Sequence, residues 1–363
     1  MSTFTLSRLI IKVKVNLNKK KVVVGISGGV DSAMCLKILL AQGFDVVAVY
    51  VKMCRYKGGL EKDIRSAKIV AKTLGVKLEI IDAGSLFCKK VVSYYDKQIK
   101  KGNTPSPCVL CNPEVKLATL LEYADKVGAF YIATGHYATI KEDKSGIFQL
   151  KKAKDKTKDQ TYSLCFLTQR HLSRMLLPLG EFNKNNILQM AKRIKGLQYL
   201  SRRKESQDFC YLGKVDQISY CKMKFPKNKG EVVDKSGKII GYHDGIYSFT
   251  IGQRRGIGLS GGPYYVISKD AKNNKIIVST DKRDLLENRI ELGEYHPIGP
   301  MINNGMTVSV KLRSSQKCGR AKIEIKKQSL VLNFDVPQRA ITPGQIAVLY
   351  KGNNCLGGGV IKG

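Results

Sequence analysis

"KVVVGISGGVDSAMCLKILLAQG", residues 21–43, is the stretch whose reading decides the fold. Val22, Val23, Val24 and Ile26 form an apolar, β-branched run of the kind that is buried on both faces of a parallel sheet. From Asp31 onward apolar residues recur at helical spacing, and Gly43 supplies the stop. Between the two lies "GISGGVDS", residues 25–32. Gly28 and Gly29 let the backbone turn tightly, so that successive N–H groups and the positive end of the following helix converge on one point, as a phosphate requires. Ser27 and Ser32 add hydroxyl groups. A Walker A loop would need a lysine before its closing Ser or Thr, and none is present. A plain glycine-rich connection is the bland alternative, and the strand–loop–helix setting weighs against it.

Working outward, strands are expected at 44–51, 76–82 and 130–135, and helices at 61–75 and from about Pro113. That alternation predicts a parallel sheet with right-handed crossovers. Ligands of such sheets sit at the carboxyl ends of the strands, where loop 25–32, Val51 and "TGH" (134–136) all fall. From about residue 230 the texture changes to short β-rich runs separated by Gly- and Asn-rich turns, which predicts antiparallel sheets or small barrels. The expected division is a basic leader over 1–20, an α/β nucleotide-binding domain over 21–220, a small β-rich central domain over 221–285 and a C-terminal β-barrel over 286–363.

The chain has 63 basic and 29 acidic residues, a formal charge of +34. Such an excess attracts polyanions, nucleic acid first among them, while lysines spread along the whole chain leave a general preference for lysine as the bland reading. Ten cysteines at irregular spacing in 363 residues are unlike a secreted disulfide scaffold, so reduced thiols and a cytoplasmic setting are expected. No apolar run approaches the roughly 20 residues that span a bilayer, and no membrane association is expected. The leader superficially resembles an organelle transit peptide, but a short basic segment before the first strand is the preferred reading. The four histidines (136, 171, 243 and 296) are too dispersed to mark a metal site.

"TPSPCVLCN", residues 104–112, holds Cys108 and Cys111 in a C-x-x-C spacing that a metal, a disulfide, a cluster or a reactive thiol would suit. Asn112 reads as a helix N-cap with Pro113 in the first turn, so Cys111 is expected exposed, just before a helix N-terminus. There its thiol would fall below the ordinary value of about 8.5. "KKAKDKTKDQ" (151–160) reads as a solvated basic loop. "GQRRGIGLSGG" (252–262) reads as a basic turn or a plain β connection.

The S-G-G-x-D-S pattern resembles the pyrophosphate loop of ATP pyrophosphatases, which adenylate a substrate. Taken with "TPSPCVLCN", "YIATGHYA", "KDQTYSL", "ESQDFCYLG", "FTIGQRRGIG", "ITPGQIAVLY" and "CLGGGVI", it makes the chain resemble bacterial tRNA-specific 2-thiouridylases from about residue 20 to its end. The loop alone would also admit GMP, NAD or argininosuccinate synthetases. The resemblance implies an adenine nucleotide alpha hydrolase-like catalytic domain that adenylates the 2-oxygen of a tRNA wobble uridine and replaces that oxygen with sulfur. It implies ATP and Mg2+ as cofactors, with Gly25, Ile26, Ser27, Gly28, Gly29, Val30, Asp31, Ser32, Val51 and Gly135 at the nucleotide. Cys111 matches the catalytic nucleophile, and Cys210 the persulfide carrier, although from sequence alone Cys210 is a thiol in a short apolar strand. Ser106, Pro107, Cys108, His136, Lys158, Asp159, Gln160, Arg313, Ser314 and Gln345 fall where the family meets the target base and tRNA. In the implied mechanism the Cys210 persulfide displaces AMP. Cys111 then attacks the bridging sulfur, leaving a Cys111–Cys210 disulfide for a reductant to reset. Partners would be tRNA and a sulfur-donor protein, the enzyme acting as a monomer.

The chain departs from the family where many members read T-P-N-P-D and it has Ser106, Pro107 and Cys108. Three thiolates, Cys108, Cys111 and Cys210, could thus hold a 4Fe–4S cluster with one iron open for sulfur, as in related thiolases. Zinc fits less well, because no second closely spaced pair completes its ligands. A nonenzymatic tRNA-binding protein on the same fold is the rival from another class.

Overall fold

The computed structural model describes residues 20–203, 209–213, 215–327 and 329–363. Residues 1–19 of the expected leader, and Glu205–Asp208 of the second cysteine block, lie outside the described residues. The first part is built on strands β1 (Lys21–Gly25), β2 (Asp45–Lys52), β3 (Leu78–Asp82) and β4 (Tyr131–Ala133), then a hairpin of β5 (Ala138–Glu142) and β6 (Phe148–Lys152), then β7 (Met175–Leu176). All but the hairpin join in one parallel sheet, ordered β3-β2-β1-β4-β7. Alternation along β1 explains its unbroken apolar run: Val22 and Val24 enter one core cluster and Val23 enters another on the opposite face. Both faces are therefore dry, as a central parallel strand requires.

Helix Val30–Ala41 follows the loop, and Leu60–Leu74 buries the stripe Asp63, Ser66, Ala67, Val70 and Ala71. One helical boundary differs from expectation. The helix placed from Pro113 starts at Pro107, runs through Pro107–Cys111 into a widened π turn over Asn112–Leu117, and continues as Ala118–Lys126. Pro113 has no N–H to donate to the preceding turn, and the helix widens to a π turn where that bond is lost. Asn112 is consequently helical, not an N-cap; its buried side chain donates from Nδ2 to the Ser163 carbonyl at 2.8 Å.

The central sheet contains β8 (Gly230–Val233), β9 (Ile239–His243), β10 (Tyr265–Asp270) and β11 (Lys275–Ser279), ordered β10-β11-β8-β9. Its β8–β11 pairing is parallel, unlike the antiparallel sheet expected, because the long connection after β9 returns the chain on the far side of β8. The last six strands, β12 (Leu286–Pro297), β13 (Thr307–Lys311), β14 (Gly319–Lys326), β15 (Ser329–Arg339), β16 (Ile346–Lys351) and β17 (Asn354–Ile361), close into an antiparallel barrel through a β12–β17 pairing. The β5–β6 hairpin extends its wall, with Lys151 opposite Asn354.

The barrel is also tied to the cysteine-bearing segment. Thr104 N–H donates to the Pro343 carbonyl at 2.9 Å, and Gln345 Nε2 donates to the Thr104 carbonyl at 2.8 Å. Tyr162 OH donates to the Ile346 carbonyl at 3.0 Å, and buried Tyr350 meets Thr161 Oγ1 at 3.1 Å. Each buried tyrosine contributes about 1.5–3 kcal/mol of apolar burial, and its hydroxyl is satisfied. No helix among the described residues is long and apolar enough to cross a membrane.

Candidate active site

At the carboxyl ends of β1, β2 and β4 lies a cavity of about 410 Å3. Its floor is the 25–32 loop. Gly28 takes φ +76°, and a Cβ there would stand 2.6 Å from the Asp63 carbonyl oxygen, so this turn admits glycine alone. Ser32 Oγ accepts from Ser27 N–H at 3.1 Å and donates to the Gly29 carbonyl at 3.0 Å, stapling the loop from within. No side chain caps the helix that begins at Val30, which leaves its N-terminal amides directed at the cavity. Gly135 presses against the loop: a Cβ would come within 2.7 Å of the Asp31 carbonyl carbon. Val51, Gly135, His136, Gln160 and Cys210 line the same cavity as the loop.

Charge is arranged around this space by residues that the sequence does not single out. Lys184 Nζ reaches both Asp31 oxygens, at 2.6 and 2.7 Å, and Tyr137 OH donates to Asp31 Oδ1 at 2.7 Å. The Lys184 side chain is 9% exposed and that of Asp31 30%, so one edge of the carboxylate still faces the cavity. Buried Asp63 holds both Arg55 and Arg203, and Arg203 also donates to the Gly28 carbonyl at 3.0 Å. Both arginines and Lys116 line the cavity, giving it cations suited to a polyphosphate. Asp63 carries the detectable signal, a carboxylate on the apolar stripe of an amphipathic helix. Lys184 carries none among so many lysines.

Cys210 borders the cavity, half-buried, while Cys111 sits 5% exposed behind Met53, its Sγ 3.9 Å from Met53 Sδ. The expectation of an exposed Cys111 with a lowered pKa is thereby overturned. Burial pushes its thiol up to about 12, Lys116 pulls the other way, and Cys210 and Cys108 lie within electrostatic reach. Cys108 reaches solvent, yet crowding raises it to about 11, with Cys210 adding to the effect. A raised thiol pKa favours the protonated form, so thiolate at Cys111 grows with pH. Alkylation of Cys111 by iodoacetamide is expected to accelerate about tenfold per pH unit between about pH 7 and 9 with no plateau; peptide mass spectrometry reads it, and a plateau near neutrality would contradict the assignment.

His136 is held neutral, lowered to about 3 by burial first and Lys116 second, with Thr134 Oγ1 2.8 Å from its Nδ1. Gln160 pairs with the Tyr137 backbone in both directions at 2.9 Å. Asp159 spends its carboxylate on Ala153 N–H and the Thr161 hydroxyl. Ser106 and Lys158 are half-buried, Pro107 is buried and Ser314 is exposed. Arg313 turns inward to the Ala340 carbonyl and Thr342 Oγ1, at 2.9 and 2.7 Å. The structure thus gathers the 25–32 loop, Val51, Gly135, His136, Gln160 and Cys210 at one cavity, and keeps Arg313, Ser314 and Gln345 on the barrel.

All ten cysteines are free thiols. Among the described residues no three His, Cys, Asp or Glu side chains are grouped to hold a metal ion, so Cys108, Cys111 and Cys210 do not fit a 4Fe–4S cluster as they stand. For Mg2+ carried on nucleotide phosphates, the open edge of Asp31, the carboxylate within the loop, does fit.

Three family profiles match in succession: "tRNA methyl transferase HUP domain" over 20–214, "tRNA methyl transferase PRC-barrel domain" over 219–280 and "Aminomethyltransferase beta-barrel domain" over 288–361. The chain is 35% identical over 357 residues to a tRNA-specific 2-thiouridylase MnmA of Clostridium acetobutylicum, covering 94% of this chain and 99% of the relative. It is 36% identical over 362 residues to one of Clostridium tetani (96% and 100%) and 38% over 362 residues to one of Thermoanaerobacter sp. strain X514 (94% and 98%). Among solved structures it is similar to the U34-tRNA thiolase NcsA of Methanococcus maripaludis, at 18% identity, 53% of this chain, 61% of that one and TM-score 0.35. An NMN synthetase of Francisella tularensis gives 14%, 54%, 69% and 0.35. At that TM-score the likeness says nothing of function.

Proposed function

The chain belongs to the family of tRNA-specific 2-thiouridylases, enzymes that transfer sulfur to tRNA, and we propose that it adenylates the 2-oxygen of a wobble uridine with ATP and Mg2+ and then exchanges that oxygen for sulfur carried on Cys210. One observation carries this reading: a single cavity joins the 25–32 loop to Cys210. The family descriptions speak of methyl transfer. A pyrophosphate-type loop opening into a cavity that ends at a thiol is better accounted for by ATP activation and sulfur transfer.

In this account the loop amides and the Arg55 and Arg203 cations hold the phosphates, while Val51 and Gly135 border the adenosine. Mg2+ on the phosphates offsets their charge and would be held at Asp31, which Lys184 and Tyr137 keep in place. Uridine enters beside neutral His136. Adenylation makes its 2-oxygen part of a good leaving group. The terminal sulfur of the Cys210 persulfide attacks C2 and AMP departs. Cys111 gives up its proton and attacks Cys210 Sγ, releasing 2-thiouridine and leaving a Cys111–Cys210 disulfide. The neutral, buried Cys111 is protected from premature oxidation until the substrate arrives. A sulfur-donor protein reloads Cys210, and the enzyme works as a cytoplasmic monomer.

The +34 charge supports tRNA binding through phosphates. Neutralising six or more of them makes affinity fall by about 1000-fold or more between roughly 50 and 200 mM salt. A titration in which the binding constant stays flat over that range would contradict phosphate-led recognition. ATP–pyrophosphate exchange that requires tRNA tests the enzymatic reading; a nonenzymatic tRNA-binding protein would show none.

A further inference from the structure

Cys54 and Cys88 take no part in the scheme above, yet they sit against it. Cys54 follows β2, and Cys88 lies in the helical segment that follows β3. Cys88 Sγ donates to Cys54 Sγ at 2.8 Å, and Cys54 Sγ donates to the Gly84 carbonyl at 3.1 Å. Both thiols are half-buried. Cys54 lines the cavity that Cys210 lines. Tyr56 N–H donates to the Tyr211 carbonyl at 2.8 Å, which lays the segment two residues beyond Cys54 beside the residue after Cys210. Cys54, Cys88 and Cys111 pack in one apolar cluster with Phe209 and Tyr211, the two neighbours of Cys210. Burial, and then the bond to Cys54, pushes the Cys88 thiol up to about 11, in keeping with a thiol held in reserve.

We propose that Cys54 and Cys88 form an internal dithiol that takes over the disulfide left between Cys111 and Cys210 after each turnover. The proposal rests on the sulfur-transfer reading. Cys54 Sγ attacks Cys210 Sγ; the Cys111–Cys210 bond breaks, a Cys54–Cys210 bond forms, and Cys111 receives the proton that Cys54 gives up. Cys88 Sγ then attacks Cys54 Sγ, forming Cys54–Cys88 and returning Cys210 as a thiol with the Cys88 proton. One dithiol is oxidised as the other is reduced, so no electrons enter or leave. A soluble dithiol reductant then restores Cys54 and Cys88, away from the buried Cys111. The gain is that Cys210 can be reloaded with sulfur before outside reductant arrives.

The test uses the full chain with a persulfide on Cys210, ATP, Mg2+ and tRNA through one turnover without reductant, followed by acid quench, alkylation and mass mapping of disulfide-linked peptides. In the wild type the Cys54–Cys88 disulfide is expected in about tenfold excess over Cys111–Cys210. Cys88→Ser is expected to stop at the Cys54–Cys210 mixed disulfide, and Cys54→Ser at Cys111–Cys210. Wild-type protein that has made 2-thiouridine and holds Cys111–Cys210, with Cys54 and Cys88 both alkylated as free thiols, overturns the relay alone. Product made by Cys54→Ser with no Cys111–Cys210 disulfide overturns the Cys111 release step on which the relay rests, and the relay with it.

Discussion

Cys210→Ser is expected to lower 2-thiouridine formation by about 1000-fold or more while tRNA-dependent ATP–pyrophosphate exchange continues. A serine hydroxyl cannot carry a sulfane sulfur, so the group that displaces AMP is lost outright. The nucleotide end of the cavity is untouched, because the loop is stapled by Ser27 and Ser32 and its glycine turn rests on Asp63 and Ser66, none of which depends on residue 210. Adenylated tRNA should therefore build up, and its detection separates a sulfur-carrying role from a merely structural one. Thiolation at normal turnover by Cys210→Ser would remove Cys210 from the mechanism.

Asp31→Asn is expected to cut adenylation by about 100-fold or more, since it removes the carboxylate that would hold Mg2+ on the phosphates. It also leaves Lys184 as a buried cation with its carboxylate partner neutralised. Breaking a fully buried pair costs about 3–5 kcal/mol, and the open edge of Asp31 makes the cost here smaller. Adding Lys184→Met should recover part of that stability, because an apolar side chain of similar length removes the buried charge, and should leave adenylation lost. Thermal melts and pyrophosphate exchange on the single and double variants separate the two effects. Recovery of exchange in the double variant would show that Asp31 acts through Lys184 and not on the nucleotide.

Much of the architecture is local in the sequence, and so was legible there. Val22–Val24 alternate between two cores on adjacent residues, and Gly28 is demanded by the left-handed turn at the centre of loop 25–32. The start of the helix at Cys111 is hard to read because two Pro-containing starts compete within seven residues. Asn112 and Pro113 look like the start; Ser106 and Pro107 are the start, and Asn112 is drawn instead to the Ser163 carbonyl. The burial of Cys111 depends on Tyr211 and Leu212, which arrive about a hundred residues later. Lys184 and Asp31 are separated by 153 positions, and no spacing rule reaches that far. Arg313 and Gln345 show the same limit: their motifs are visible in sequence, but the Arg313 bond to Ala340 is set by the closure of the barrel and the Gln345 bond to Thr104 by how the barrel meets the α/β part.

The central claim is that ATP activation at the loop and sulfur held on Cys210 meet in one cavity. It is tested most directly by loading Cys210 with a persulfide carrying heavy sulfur, running a single turnover with tRNA and Mg2+ in the presence or absence of ATP, and reading the nucleosides by mass spectrometry. The account predicts heavy-sulfur 2-thiouridine that requires ATP, in step with loss of label from Cys210. Thiouridine without the label, or labelled thiouridine formed equally well without ATP, would contradict it.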